Sequence, residues 1–252
     1  MKLFYRELGE GQPIIILHGV FGSSDNWITP AKMLSDGRRL YLLDQRNHGQ
    51  SPKSDEFNNK VMADDLNEFV EDHQVKKPVI IGHSMGGKVA MTFASLYPDK
   101  LSKLIVVDIA PKYYPPHHQK ILEGLRAIDL KRLESRQQAD AILSQYEPEL
   151  GVRQFLLKNL YRNQENEFSW RINLPVISEK INNVGESLDE NIKINLPTLF
   201  IRGANSRYIK NTDEPLIKKL FSDIKIETIE GAGHWVQAEK PKEFVEAVRK
   251  FL

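Results

Sequence analysis

The sequence predicts an α/β domain: a mostly parallel, doubly wound sheet that carries an inserted helical segment. Three observations predict it. Short apolar runs recur along the 252 residues and end in polar or permissive residues. Segments of helical period lie between them, and this alternation stops between Pro111 and about Glu190.

The first residues, Met1 to Glu7, read as the start of a strand. Pro13 to Leu17 leads into His18-Gly19, Leu40 to Leu43 into Asp44, and Pro78 to Ile81 into Gly82. Leu104 to Val107 leads into Asp108, and Leu196 to Ile201 into Arg202-Gly203. Near-continuous apolar runs of this length fit strands buried on both faces. Helical spacing marks Val61 to Val75, Gly86 to Tyr97, and Pro241 to Leu252, the last with Pro at its first position. Residues 1–110 and 191–252 therefore form the core. Within 111–190, Ile121, Leu122, Leu125 and Ile128 recur at helical intervals, as do Val152, Phe155, Leu156 and Leu160, and no strand is expected. An insertion over the strand ends is a candidate lid.

Composition narrows the function classes. Hydrophobic residues make up 40% and charged residues 27%, with a formal net charge of +1. Acids and bases are mixed along the chain, so no field draws the protein to nucleic acid or a membrane surface. There is no cysteine, which excludes disulfides, thiolate catalysis and Cys-ligated metal. No signal peptide is expected, and no window approaches the roughly 18 apolar residues of a membrane span. A cytoplasmic location is expected.

Gly82-His83-Ser84-Met85-Gly86 matches G-x-S-x-G between a predicted strand and a predicted helix. An abrupt strand-to-helix turn brings the residues two before and two after the serine together, where side chains would clash. Such a turn lifts Ser84 above the sheet as a nucleophile and aims the Met85 N–H at a developing oxyanion. The bland reading is a Gly-rich turn with an incidental serine. The flanking strand and helix favour the nucleophile.

His18-Gly19-Val20-Phe21-Gly22 follows the first long strand, beside the nucleophile's own. A backbone N–H there completes an oxyanion hole; Val20 is the first choice and Phe21 the second. His18 reads as a group that hydrogen-bonds the loop. Gly231-Ala232-Gly233-His234-Trp235 follows the alternation Ile224, Ile226, Ile229, and its glycines let a loop hold one imidazole over the sheet end. Histidine suits a general base because its unperturbed pKa is near 6.5. His48 and His83 read as structural, His73 as solvated, and His117 and His118 as exposed residues of the insertion.

The orienting acid commonly follows the strand at Leu196–Ile201, in a Gly-x-x-Asp context. Here the chain runs Gly203-Ala204-Asn205-Ser206, and neither Asn205 nor Ser206 carries a charge. Asp108 is favoured instead, since it ends a neighbouring strand at the same sheet edge, and adjacent strands lie about 5 Å apart. Asp213 and Glu214 are the alternatives, and the bland reading of Asp108 is a cap for the next segment.

Taken together, His18 to Trp27, Asp44 to Ser51, Gly82 to Lys88, Val106 to Pro111 and Gly231 to Lys240 resemble the YbfF-type bacterial esterases and their mitochondrial relatives, within the α/β-hydrolase superfamily. Arg46-Asn47-His48-Gly49 and Asp108-Ile109-Ala110-Pro111 make the likeness more specific than the serine motif does. The resemblance implies an α/β-hydrolase fold and an acid at Asp108. It also implies esterase or thioesterase activity on small acyl substrates, acyl-CoA included.

The expected chemistry is a Ser84–His234–Asp108 triad working through an acyl-enzyme, with Met85 and Val20 holding the oxyanion and no metal or cofactor. Phe21, Tyr113, Phe155, Trp170 and Trp235 are candidates for the substrate pocket, although aromatics at helical spacing more often pack. A serine at position 84 argues against a haloalkane dehalogenase, which needs a carboxylate nucleophile. A C–C bond hydrolase, an acyltransferase and a non-catalytic small-molecule receptor remain open alternatives.

Overall fold

The computed structural model describes residues 1–252. In chain order the elements begin with β1 (Tyr5–Leu8), β2 (Gln12–Leu17), α1 (Ile28–Leu34), β3 (Arg38–Leu43), α2 (Asn59–Asp72), β4 (Val79–His83), α3 (Met85–Leu96) and β5 (Lys103–Val107). An insertion follows, with α4 (Gln119–Ala127), α5 (Arg136–Leu143), α6 (Leu150–Leu157), β6 (Leu160–Arg162), β7 (Phe168–Trp170) and α7 (Leu174–Lys180). The core resumes with β8 (Ile194–Gly203), α8 (Glu214–Leu220), β9 (Phe221–Ile229), α9 (Val236–Glu239) and α10 (Pro241–Phe251).

Seven strands form one sheet in the order β1-β3-β2-β4-β5-β8-β9. Only β1 is antiparallel to its neighbour. The central strands β4 and β5 are almost wholly buried and rich in Val and Ile, as strands covered on both faces are. One face presents Ile15, Leu17, Ile80, Leu104 and Val106 to a cluster of 49 buried residues that includes α2 and α3. The other presents Ile14, Ile16, Ile81, Ile105 and Val107 to a cluster of 20 that includes α1 and α10. The first is larger because it runs on into the insertion through Leu122, Leu125, Leu156 and Ile177. Each such side chain contributes roughly 1.5–3 kcal/mol when fully buried, so the insertion is packed onto the core rather than hung from it.

Local chemistry sets the helix ends. Asn58 accepts the Val61 N–H at 2.9 Å and caps α2. Pro241 opens α10, whose buried face is Phe244, Val245, Ala247 and Val248. No helix is long and apolar enough to cross a membrane.

The insertion corrects one expectation. Strands β6 and β7 form a two-stranded antiparallel ribbon, with Leu160 opposite Trp170, where helix alone was expected. Leu160 thus leaves the helical series that starts at Val152, because α6 stops at Leu157.

Parallel register brings the functional loops to one edge. Leu17 lies opposite Gly82, His83 opposite Val107, Val107 opposite Ile201, and Gly203 opposite Ile229. The residues just beyond β2, β4, β5, β8 and β9 are therefore neighbours at the C-terminal edge, where ligands bind in doubly wound sheets.

Candidate active site

Ser84 sits between β4 and α3 with φ 53° and ψ −118°, a strained left-handed conformation for a residue with a side chain. The flanking glycines make that turn possible. A Cβ on Gly82 would stand 2.2 Å from the Gly86 carbonyl oxygen, and one on Gly86 would stand 2.4 Å from that of Leu17. Met85, as the first residue of α3, has an N–H that precedes the first intrahelical acceptor.

The loop after β2 presses against this turn, and a Cβ on Gly19 would stand 3.2 Å from that of Ser84. The Phe21 N–H donates to His48 Nε2 at 3.3 Å, whereas the Val20 N–H has no acceptor in the protein. That difference separates the two donor candidates. His18 Nε2 accepts the Gln45 N–H at 3.0 Å, and its Nδ1 lies 2.8 Å from the Gly19 carbonyl. Burial lowers His18 to about 4 and His48 to about 3, so both are neutral groups that shape the loop. From the insertion, Asn159 donates to the Phe21 carbonyl at 2.7 Å and steadies the same loop.

His234 Nδ1 donates to Asp108 Oδ2 at 2.7 Å, which leaves Nε2 as the basic nitrogen. Asp108 is fully buried with φ 49°, and the Gly203 N–H donates to its Oδ1 at 3.2 Å. The Ser206 hydroxyl donates to Oδ2, the oxygen that also serves His234. Asp213 lies elsewhere, paired with Lys112 at 2.6 Å, and Glu214 pairs with Arg202 at 3.5 Å. Burial pushes the Asp108 carboxyl up to about 6, against the Ser206 and Gly203 hydrogen bonds that favour its ionised form. Burial also holds His234 below its ordinary value, so the imidazole is neutral at pH 7.

Further contacts hold His234 and its loop in place. His83 Nε2 donates to the His234 carbonyl at 2.9 Å. The Glu239 carboxylate accepts the Gly233 N–H at 2.7 Å and the Trp235 N–H at 3.1 Å, one on each side of His234. The Tyr208 ring stacks on the imidazole at 3.8 Å between centroids. Ser84 Oγ forms no hydrogen bond to the imidazole in this conformation; the imidazole's side-chain hydrogen bond goes to Asp108.

Ser84 and His234 border one cavity of about 750 Å³, together with Val20, Phe21, Phe155 and Trp235. Two other pocket candidates lie outside it. Tyr113 points outward and is 55% exposed, while the next residue, Tyr114, turns inward to accept the Ala110 N–H at 2.9 Å. Trp170 is buried in the insertion's own ribbon and core. His117 is exposed, as expected, and also borders the cavity, whereas His118 is half-buried against it. His117 Nε2 lies 2.6 Å from the Tyr208 hydroxyl, and His118 packs edge-on to Phe21.

Ser206, Tyr208, Glu239 and Lys88 were not anticipated. The carboxyl-free Gly203–Ser206 turn was the one sequence signal, and it hid a hydroxyl partner for Asp108. Lys88 is 1% exposed, and its ammonium donates to the Lys112 and Glu186 carbonyls, at the two ends of the insertion. Burial lowers that ammonium to about 7.

Residues 12–241 match the family model described as the alpha/beta hydrolase fold. The chain is 37% identical over 247 residues to the sn-1-specific diacylglycerol lipase ABHD11 of Mus musculus, covering 95% of this chain and 80% of that protein. It is 37% identical over 241 residues to Esterase YbfF of Escherichia coli K12, covering 95% and 92%. A solved structure described as a marine microorganism esterase superposes with a TM-score of 0.97 at 44% identity, covering 100% of this chain and 99% of that one. The chain belongs to the α/β hydrolase fold family. Within that family it is a serine hydrolase of the YbfF esterase type.

Proposed function

We propose that the protein hydrolyses carboxylic esters through an acyl-enzyme on Ser84, with His234 as base and Asp108 as the acid that orients it. The observation that carries this reading is the 2.7 Å His234–Asp108 hydrogen bond, in the loop that faces Ser84 across a shared cavity. Ser84 Oγ attacks the carbonyl carbon as its proton passes to His234 Nε2. The N–H groups of Met85 and Val20 hold the oxyanion, and Asp108 stabilises the imidazolium. The imidazolium then gives its proton to the departing oxygen as the C–O bond breaks. Water, deprotonated by the same imidazole, releases the acid. Residues 111–190 act as a lid, since His117, His118 and Phe155 of that segment wall the cavity.

Small neutral esters fit this site better than CoA thioesters do. The cavity wall carries Glu147, Glu149 and Glu239 against one cation, Lys158, and a polyanionic leaving group would meet like charge. Turnover of p-nitrophenyl acetate and butyrate by the wild type, abolished in Ser84→Ala, is the expected result. Equal turnover by both proteins would contradict it.

A further inference from the structure

A second, smaller space also adjoins Ser84. It is about 40 Å³; Val20 and Ser84 border it as well as the large cavity, and Met85 borders only the small one. Ile109 from the core and Ile181 and Val184 from the insertion add apolar walls. His234 borders the large cavity and not this one. One water-sized group needs about 10–15 Å³ by this measure, so the space holds on the order of three such groups.

The proton route tells the two spaces apart. The departing oxygen must lie within reach of His234, because the imidazolium protonates it. The alcohol portion therefore occupies the large cavity. The oxyanion is directed at Val20, which borders both spaces, and at Met85, which borders the small one. The remaining substituent of the carbonyl carbon, the acyl chain, is left facing the small space.

We propose that this compartment is the acyl subsite and that Ile109, Ile181 and Val184 limit it to short chains, about three carbons beyond the carbonyl. The proposal rests on the Ser84–His234 assignment above. Part of the compartment's lining is polar and fixed. Lys88 borders it, and the hydrogen bonds from that ammonium to Lys112 and Glu186 tie down both ends of the insertion. A longer chain would have to break those bonds or force the Ile181–Val184 wall outward, and a well-packed wall does not yield cheaply.

The test is kcat/KM for p-nitrophenyl acetate, butyrate, octanoate and decanoate, which share one leaving group. The octanoate value is expected at least about 100-fold below the butyrate value, since a single misfitting methylene is worth about 10–200-fold. Val184→Ala is expected to raise the octanoate-to-butyrate ratio about tenfold, and Val184→Leu to lower the butyrate-to-acetate ratio. A wild type that prefers octanoate to butyrate would place the chain in the large cavity and overturn the proposal, while leaving the esterase reading intact. Unchanged ratios in both folded variants would also overturn it. No turnover of any ester would remove the esterase reading and this proposal with it.

Discussion

Asp108 Oδ2 accepts two hydrogen bonds, from His234 Nδ1 at 2.7 Å and from the Ser206 hydroxyl. Asp108 follows β5, whereas Ser206 follows β8 in the turn where an acid is commonly found. The carboxylate has thus come from one strand and its support from the next.

Asp108→Asn should lower kcat by about 10³- to 10⁴-fold, because an amide cannot stabilise the imidazolium and can reverse the tautomer. Asp213→Asn should stay within about threefold of wild type, since that carboxylate serves a partly exposed pair with Lys112. Steady-state kinetics on both variants checks this. A collapse in Asp213→Asn alone would move the acid to that residue.

The pH profile follows from burial. The working form has Asp108 ionised and His234 neutral. Burial pushes Asp108 up to about 6 and holds His234 down, so the pair takes up its proton below neutrality. Activity should be full above pH 7 and lost as pH falls through about 6. Ser206→Ala removes a donor that favours the carboxylate, so its acid limb should move to higher pH, with kcat down about tenfold. A limb centred near 8 in the wild type would contradict this account.

Glu239 should shift the limb the other way. Its carboxylate accepts the N–H groups that flank His234, and its charge favours the imidazolium. Glu239→Gln is expected to lower kcat about tenfold while moving the acid limb to lower pH. A fall in kcat with no shift, or a shift upward, would show that the charge does not act on the base.

These contacts mark how far the sequence could be read. The strands, Ser84 and His234 were legible because apolar runs and glycine-flanked motifs are local in the chain. Asp108 was legible as a strand-end carboxylate facing a turn that lacks one. The β6–β7 ribbon was not, since three-residue strands carry no period. Tyr113 and Tyr114 are adjacent and chemically alike, and only packing turns one outward and the other toward Tyr208. Glu239 was hidden for another reason: it acts on backbone N–H groups, which carry no sequence signal.

Acyl-CoA should be a poor substrate, and its hydrolysis should respond to salt. Raising ionic strength from about 20 to about 300 mM should increase kcat/KM for acetyl-CoA severalfold, as screening weakens repulsion from Glu147, Glu149 and Glu239. Turnover of p-nitrophenyl acetate should barely change. A decrease for acetyl-CoA would point to a cationic mouth, contrary to the charges lining this one.

The central claim is that Ser84 is the nucleophile, and covalent trapping tests it most directly. After treatment with a fluorophosphonate, the intact mass of the wild type should rise by one phosphonyl group. Peptide mapping should place that group on Ser84, and Ser84→Ala should remain unlabelled. A wild type that takes no label, or a label that persists in Ser84→Ala, would contradict the account.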